Sequence, residues 1–205
     1  MINSIDNPTI LRLDSSARSA DSVSRQLADR LIARIAGDSS PVIVERNVAT
    51  GLPFVDEATI EAMYTPAESR TQEQVDLLAL GQTLIDELVA ADAVVISMPV
   101  YNFGPPATLK AWVDLIARVG VTFNYTEQGP VGALADKPVY LIVASGGTPI
   151  GSAVDWATGW LKQVLGFLGI TSVEVISAGQ LNIDPDGALL AAEEIVDNVD
   201  LVGAQ

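Results

Sequence analysis

The chain of 205 residues contains no cysteine and no histidine. Without cysteine there is no disulfide, thiol redox couple or thiolate metal site. Without histidine the usual proton shuttle and the commonest zinc ligand are missing, so no metal site is expected and a Ser-His-Asp triad cannot form. Basic residues are scarce: 11 Lys and Arg stand against 26 Asp and Glu, for a formal net charge of −15. With no Lys/Arg cluster to offset it, this charge repels phosphate backbones and argues against a nucleic-acid partner. No apolar run approaches the roughly 18 residues of a membrane span, so no membrane partner is expected. The first eight residues, Met1 to Pro8, show neither the basic region nor the apolar stretch of a signal peptide, and the expected compartment is the cytoplasm. Any chemistry has to manage without these two residues, which favours a bound organic cofactor over a side-chain triad.

What remains is the composition of a folded globule, with 49% hydrophobic and 18% charged residues. The length suits one domain, and no linker or repeat divides it, so residues 1–205 are read as a unit. Short apolar runs read as strands at Thr9–Leu13, Pro41–Glu45, Ala93–Met98, Val139–Ala144 and Ser172–Ile176. Near-continuous apolar strands are covered on both faces, as in a parallel sheet. Helical stripes alternate with them: Leu27, Leu31 and Ile35; Leu77, Leu80, Leu84, Ile85 and Leu88; Leu109, Trp112, Val113 and Ile116, with Lys110, Asp114 and Arg118 on the other face. A fourth stripe is Ala157, Trp160, Leu161, Val164, Leu165 and Leu168. A fifth, after an Asp184 N-cap and Pro185, is Ala188, Ala192, Ile195 and Val199. Alternating strands and helices imply right-handed crossovers and an α/β three-layer sandwich, a five-stranded parallel sheet with helices on both faces, and the expected strand order is the flavodoxin-like 2-1-3-4-5. The segment Thr50–Thr71 exceeds a simple connection and is a candidate to cover a ligand or partner surface, and with Val119–Asp136 it exceeds a minimal doubly wound domain.

Three loops follow the carboxyl ends of strands, where open parallel sheets bind ligands. The first, Asp14–Arg25, is neither a Gly-x-Gly-x-x-Gly fingerprint nor a Walker A loop. It offers hydroxyls at Ser15, Ser16, Ser19, Ser22 and Ser24, with Arg18 and Arg25 nearby, before a helix whose N-terminus favours a phosphate. Taken alone, these residues read more readily as ordinary turn and cap chemistry. The second loop carries Tyr101, Asn102 and Phe103 ahead of Gly104-Pro105-Pro106. An aromatic, amide-bearing loop at a strand end suggests a flat ligand, a flavin first, although such a pair is more often core or edge packing. The third, Ala144-Ser-Gly-Gly-Thr-Pro149, lets a backbone approach a planar ring closely, but alone it reads more readily as a tight turn before a helix. Together the three surround one crevice, which moves the reading to a mononucleotide.

The stretch Pro99-Val-Tyr-Asn-Phe103, continued by Thr108-Leu-Lys-Ala-Trp-Val-Asp-Leu-Ile-Ala-Arg-Val-Gly-Val-Thr-Phe-Asn-Tyr-Thr-Glu-Gln-Gly129, resembles the FMN-dependent NADH-azoreductases, also called FMN-dependent NADH:quinone oxidoreductases. Leu165-Gly-Phe-Leu-Gly-Ile-Thr171 is similar too, and the resemblance covers nearly the whole chain. It implies a homodimer with one FMN per subunit and the active site at the interface. Electrons would pass two at a time from NADH or NADPH, by a ping-pong mechanism, to quinones and to azo compounds whose N=N bond is cleaved. By position, Ser16, Ser22, Val23 and Ser24 would hold the phosphate. Val100, Tyr101, Asn102 and Phe103 would lie along the isoalloxazine, and Ala144, Ser145, Gly146 and Gly147 at its pyrimidine side. Phe103, Phe123 and Tyr125 would face the substrate, and Asn102 and Tyr125 are the candidates for a catalytic part. The family often carries Arg where this chain has Ser145. A flavodoxin-type electron carrier, which the acidity would suit, and an NAD(P)H-dependent FMN reductase are the alternative readings.

Overall fold

The computed structural model describes residues 7–199. The outermost ends of the expected domain, and most of the segment read for a signal peptide, lie outside them. In chain order the strands are β1 (Thr9–Asp14), β2 (Val42–Asn47), β3 (Ala93–Pro99), β4 (Phe123–Thr126), β5 (Gly129–Gly132), β6 (Val139–Ala144) and β7 (Val173–Ala178). The α-helices are α1 (Val23–Ala36), α2 (Glu57–Tyr64), α3 (Gln72–Ala90), α4 (Ala107–Ile116), α5 (Trp156–Leu168) and α6 (Pro185–Asn198). Five strands form one parallel sheet in the order β2-β1-β3-β6-β7, while β4 and β5 make a separate antiparallel hairpin. Every residue of β3 and β6 is buried, as strands covered on both faces require, whereas the edge strands β2 and β7 are partly exposed.

Alternation along the strands divides the core into two layers. Val94, Ile96 and Met98 pack toward α3, α4 and α5 with Leu84, Trp112 and Leu161, while Val95, Tyr140 and Ile142 pack toward α1 and α6 with Leu27, Leu31 and Val196. The apolar stripes of α4 and α5 fall where the sequence puts them; on α6 Ala192 is buried as expected, Val196 joins it, Ala188 and Ile195 are half-buried, and Val199 is buried just past the helix end. The side chain of Asp184 accepts from the Gly187 N–H at 3.0 Å with Pro185 at the helix start.

Two further expectations need correction. On α3 the buried row begins at Leu78, not at Leu77, which is 40% exposed. The helix starts at a Thr71–Gln74 capping box. Arg118, placed on the outer face of α4, lies two residues beyond the helix and is buried. The two long segments carry elements of their own: Thr50–Thr71 contains α2, capped by Asp56 onto the Thr59 N–H at 2.8 Å, and Val119–Asp136 contains the β4–β5 hairpin. The hairpin lies against the end of α5, where a Cβ on Gly132 would stand 2.2 Å from the Gly169 nitrogen.

Candidate functional site

A cleft of about 280 Å³ opens at the carboxyl ends of β1, β3, β6 and β7. Its lining includes Ser16, Ser22, Val23, Ser24, Val100, Tyr101, Ala144, Ser145 and Gly146, so the three loops meet as the sequence suggests. Arg18, Asp21, Pro99, Leu181 and Asn182 complete it. The last two come from the loop after β7, which the sequence reading left out. Leu181 N–H donates to the Ser145 carbonyl at 3.0 Å and Asn182 N–H to that of Gly146 at 2.8 Å. Asn182 also gives the physical reason for Gly146: a Cβ there would lie 2.6 Å from the amide nitrogen of Asn182. Gly147 has nothing within 4 Å of such a Cβ and does not line the cleft.

At the β1 end the cleft is built from hydroxyls and free amides. Ser16, Ser22 and Ser24 are all buried, yet they face the cavity. Ser22 is the N-cap of α1 but makes no side-chain cap bond, and its Oγ lies 3.3 Å from Ser24 Oγ. The first turn of α1 has no acidic residue, so its unpaired N–H groups meet no intrahelical anion. Such an end favours a phosphate; Arg18 adds to that preference and Asp21, on the same rim, opposes it. The loop is braced from below. Ser15 Oγ donates to the Ser97 carbonyl at 2.8 Å, Ser97 Oγ to Asp14 at 2.6 Å, and Arg25 Nη2 to the Ser16 carbonyl at 2.8 Å. Asp14 is paired with Arg12 at 3.0 Å, which offsets the cost of burying its carboxylate.

At the β3 end the loop is a tight turn. Tyr101 and Gly104 exchange backbone hydrogen bonds of 2.9 and 3.0 Å, and the residues between them, Asn102 and Phe103, both have positive φ, 49° and 70°. Two successive positive φ values are the signature of a type I′ turn, comfortable for Asn but strained for Phe. The turn is tied at both flanks: the Tyr101 hydroxyl accepts from the Ala17 N–H at 3.2 Å, and the Phe103 carbonyl accepts from the Trp156 N–H at 3.1 Å. Phe103 and Trp156 are 55% and 68% exposed. Trp156 opens α5 beside Asp155, whose carboxyl burial tends to raise, but N–H bonds from Gly151, Thr158 and Ala157 outweigh this and hold it low. Asn102 and Phe103 thus adjoin the cleft without lining it.

Phe123 and Tyr125 sit on β4, away from that lining. Phe123 is buried, its ring 4.5 Å from that of Phe167, while Tyr125 stands edge-on to Phe123 at 5.4 Å and is exposed. Ser145 is buried, and its Oγ accepts from the Thr148 N–H at 2.8 Å, which shapes its own loop and leaves the O–H free to donate. Among the described residues no group of three His, Cys, Asp or Glu side chains could hold a metal ion, and no helix is long and apolar enough to cross a membrane.

A doubly wound parallel sheet with a hydroxyl-lined, helix-capped cleft beside an aromatic turn defines a nucleotide-binding α/β protein. A family model described as "Flavodoxin-like fold" matches residues 8–200. The chain is 50% identical over 186 residues to "FMN-dependent NADH:quinone oxidoreductase 1" of Hahella chejuensis, covering 90% of this chain and 91% of that one. It is 51% identical over 190 residues to "FMN-dependent NADH:quinone oxidoreductase" of Thiobacillus denitrificans, covering 92% and 93%. Among solved structures, an FMN-dependent NADH-azoreductase from Bacillus anthracis in complex with FMN superposes with a TM-score of 0.81 at 26% identity, over 93% of this chain and 96% of the other. At this identity and coverage the chain belongs to the family of FMN-dependent NADH:quinone oxidoreductases, within the flavodoxin-like fold.

Proposed function

We propose that this protein is an FMN-dependent oxidoreductase that transfers two electrons from NADH to quinones and to azo compounds. The observation that carries the reading is a cleft lined by the buried hydroxyls of Ser16, Ser22 and Ser24 at an uncapped helix start, with a strained aromatic turn beside it. The cavity is polar where a phosphate would lie and opens beside exposed rings where a flat group would lie, so the residues present fit FMN. Bound there, FMN would supply two-electron redox chemistry that no side chain of this cysteine- and histidine-free chain can provide.

The protein's part is to bind, orient and exclude water. Ser16, Ser22 and Ser24, with the N–H groups of Val23 and its neighbours, would take the phosphate. Val100 and Tyr101 would line one side of the ring and Ala144 to Gly147 the pyrimidine edge. The positive φ of Asn102 fixes the direction of its backbone amide, which would stabilise negative charge near the reactive nitrogen. Phe103 and Tyr125 are the proposed contacts for NADH and the acceptor, which would use one face in turn. Phe123 would act from behind, holding Tyr125 edge-on.

We place the active site of a homodimer at its interface, and the whole chain works as one FMN-binding domain in the cytoplasm. Supporting the dimer, Phe54, Tyr64, Phe103, Tyr125 and Trp156 are all more than half exposed, more large aromatic surface than an isolated acidic monomer ordinarily leaves to water. The test is a steady-state matrix of NADH against a benzoquinone on protein with measured flavin content. Parallel double-reciprocal lines are expected; intersecting lines would oppose alternate occupancy of one site.

A further inference from the structure

A second pocket, of about 300 Å³, lies away from the cleft, on the outer face of α3. Its apolar wall is Val75, Leu78 and Ala79, and its polar end is Gln82 with two guanidinium groups, Arg70 and Arg118. Arg118 is 4% exposed, the only basic residue classed as buried among the described residues. Other arginines drawn into the structure have a carboxylate: Arg12 and Arg25 have Asp14, and Arg46 has Glu87. Neither Arg70 nor Arg118 has a carboxylate within ion-pair distance among the described residues.

Each guanidinium is instead anchored through one N–H. Arg118 Nη1 donates to Gln82 Oε1 at 3.0 Å, and the Gln82 amide donates onward to Asp86 at 2.7 Å. Arg70 Nε donates to the Ala62 carbonyl in the last turn of α2 at 3.1 Å, a favourable place for a cation. Burial and the neighbouring Arg70 both lower the Arg118 pKa, and only Asp86 offsets them. Two converging cations with one indirect counter-charge, in a chain of net charge −15, form an electrostatically incomplete site.

We propose that this pocket binds a small organic carboxylate, its carboxylate held by Arg70 and Arg118 and its apolar body laid along Val75, Leu78 and Ala79. Guanidinium groups match the plane of a carboxylate, and the α3 wall favours a hydrocarbon body over a compact inorganic anion. No part of this depends on the flavin reading.

The test is calorimetric titration of hexanoate into the full-length protein, with and without saturating FMN, beside hexanamide and inorganic phosphate. Saturable binding at one site per chain is expected under both conditions, with hexanamide and phosphate at least about tenfold weaker. R70M should weaken hexanoate by about tenfold or more. Q82D, which supplies a carboxylate next to Arg118, should abolish binding and raise the melting temperature. Because R118M removes a buried group and can fail to fold, R70M and Q82D carry the decision. FMN affinity should be unchanged in both. The proposal is overturned by no saturable hexanoate binding, by binding unaffected in R70M and Q82D, or by phosphate binding the more tightly. A change of oligomeric state in R70M without hexanoate binding would assign the arginines to a subunit contact, and also overturns it.

Discussion

The two ends of the cleft are held in opposite ways. At the β1 end the loop is relaxed and braced: Ser15, Ser97, Asp14 and Arg25 are joined beneath it by hydrogen bonds and by an Asp14–Arg25 ion pair. At the β3 end the chain is strained, with Phe103 at φ 70° kept there by the Tyr101–Gly104 pair and by Trp156. The contrast separates two tasks. A phosphate needs donors that already point inward, whereas the edge of a ring needs one amide and one aromatic surface placed in an unusual direction. Strain of about 1–3 kcal/mol per residue persists only where its surroundings enforce it, and such residues gather at working sites.

The sharpest way to break the comparison is Ser16→Asp, which puts a like charge at the phosphate end. FMN affinity should fall about a hundredfold, as expected for charges a few ångströms apart in a half-buried site, with the apoprotein still folded. Fluorescence titration of FMN and a thermal melt of the apoprotein read the two effects. Phe103→Gly attacks the other end. Relief of the positive φ should stabilise the fold by about 1 kcal/mol, while kcat/KM for the quinone falls about tenfold through loss of the ring. Stability and activity moving in the same direction would remove strain from the account. Tyr101→Phe deletes the hydroxyl that joins the two ends through the Ala17 N–H. A severalfold loss of FMN affinity is expected, about 1 kcal/mol at most.

The smallest effect lies far from the cleft and serves as a control. Burial tends to raise the Asp136 carboxyl, but bonds from the N–H and hydroxyl groups of Ser172 and Thr171 overcome this and hold it at about 2, against an ordinary 3.8. A depressed folded-state pKa contributes stability that is present above the ordinary value and lost as pH falls toward the folded one. Asp136→Asn should therefore flatten the loss of stability between about pH 4 and pH 2, leaving FMN affinity unchanged. Chemical denaturation across that range gives the answer.

Much of this was legible in the chain. Near-continuous apolar runs identified the strands, and the loops after β1, β3 and β6 were readable because helix starts, aromatics and glycines stand out next to them. The fourth contributing loop, with Leu181 and Asn182, was not, because an Asn in a turn is ordinary until its contact with Gly146 is seen. The β4–β5 hairpin was hidden by Pro130 and by a Glu127-Gln128 turn, neither of which signals a strand pair. On α3, Leu84, Ile85 and Leu88 are buried as their spacing suggests, and only the first turn differs, because Leu77 and Leu78 are adjacent and either fits the spacing. Arg118 was read as solvated because helical periodicity was carried past Ile116, where the helix ends.

Whether the cleft runs two-electron chemistry is decided most directly by separating the half-reactions anaerobically on purified protein reconstituted with FMN. The account predicts that one equivalent of NADH bleaches the flavin absorbance and that one equivalent of a benzoquinone restores it, with the flavin retained through gel filtration. Flavin lost from the protein on filtration, or flavin that NADH leaves coloured, would contradict it.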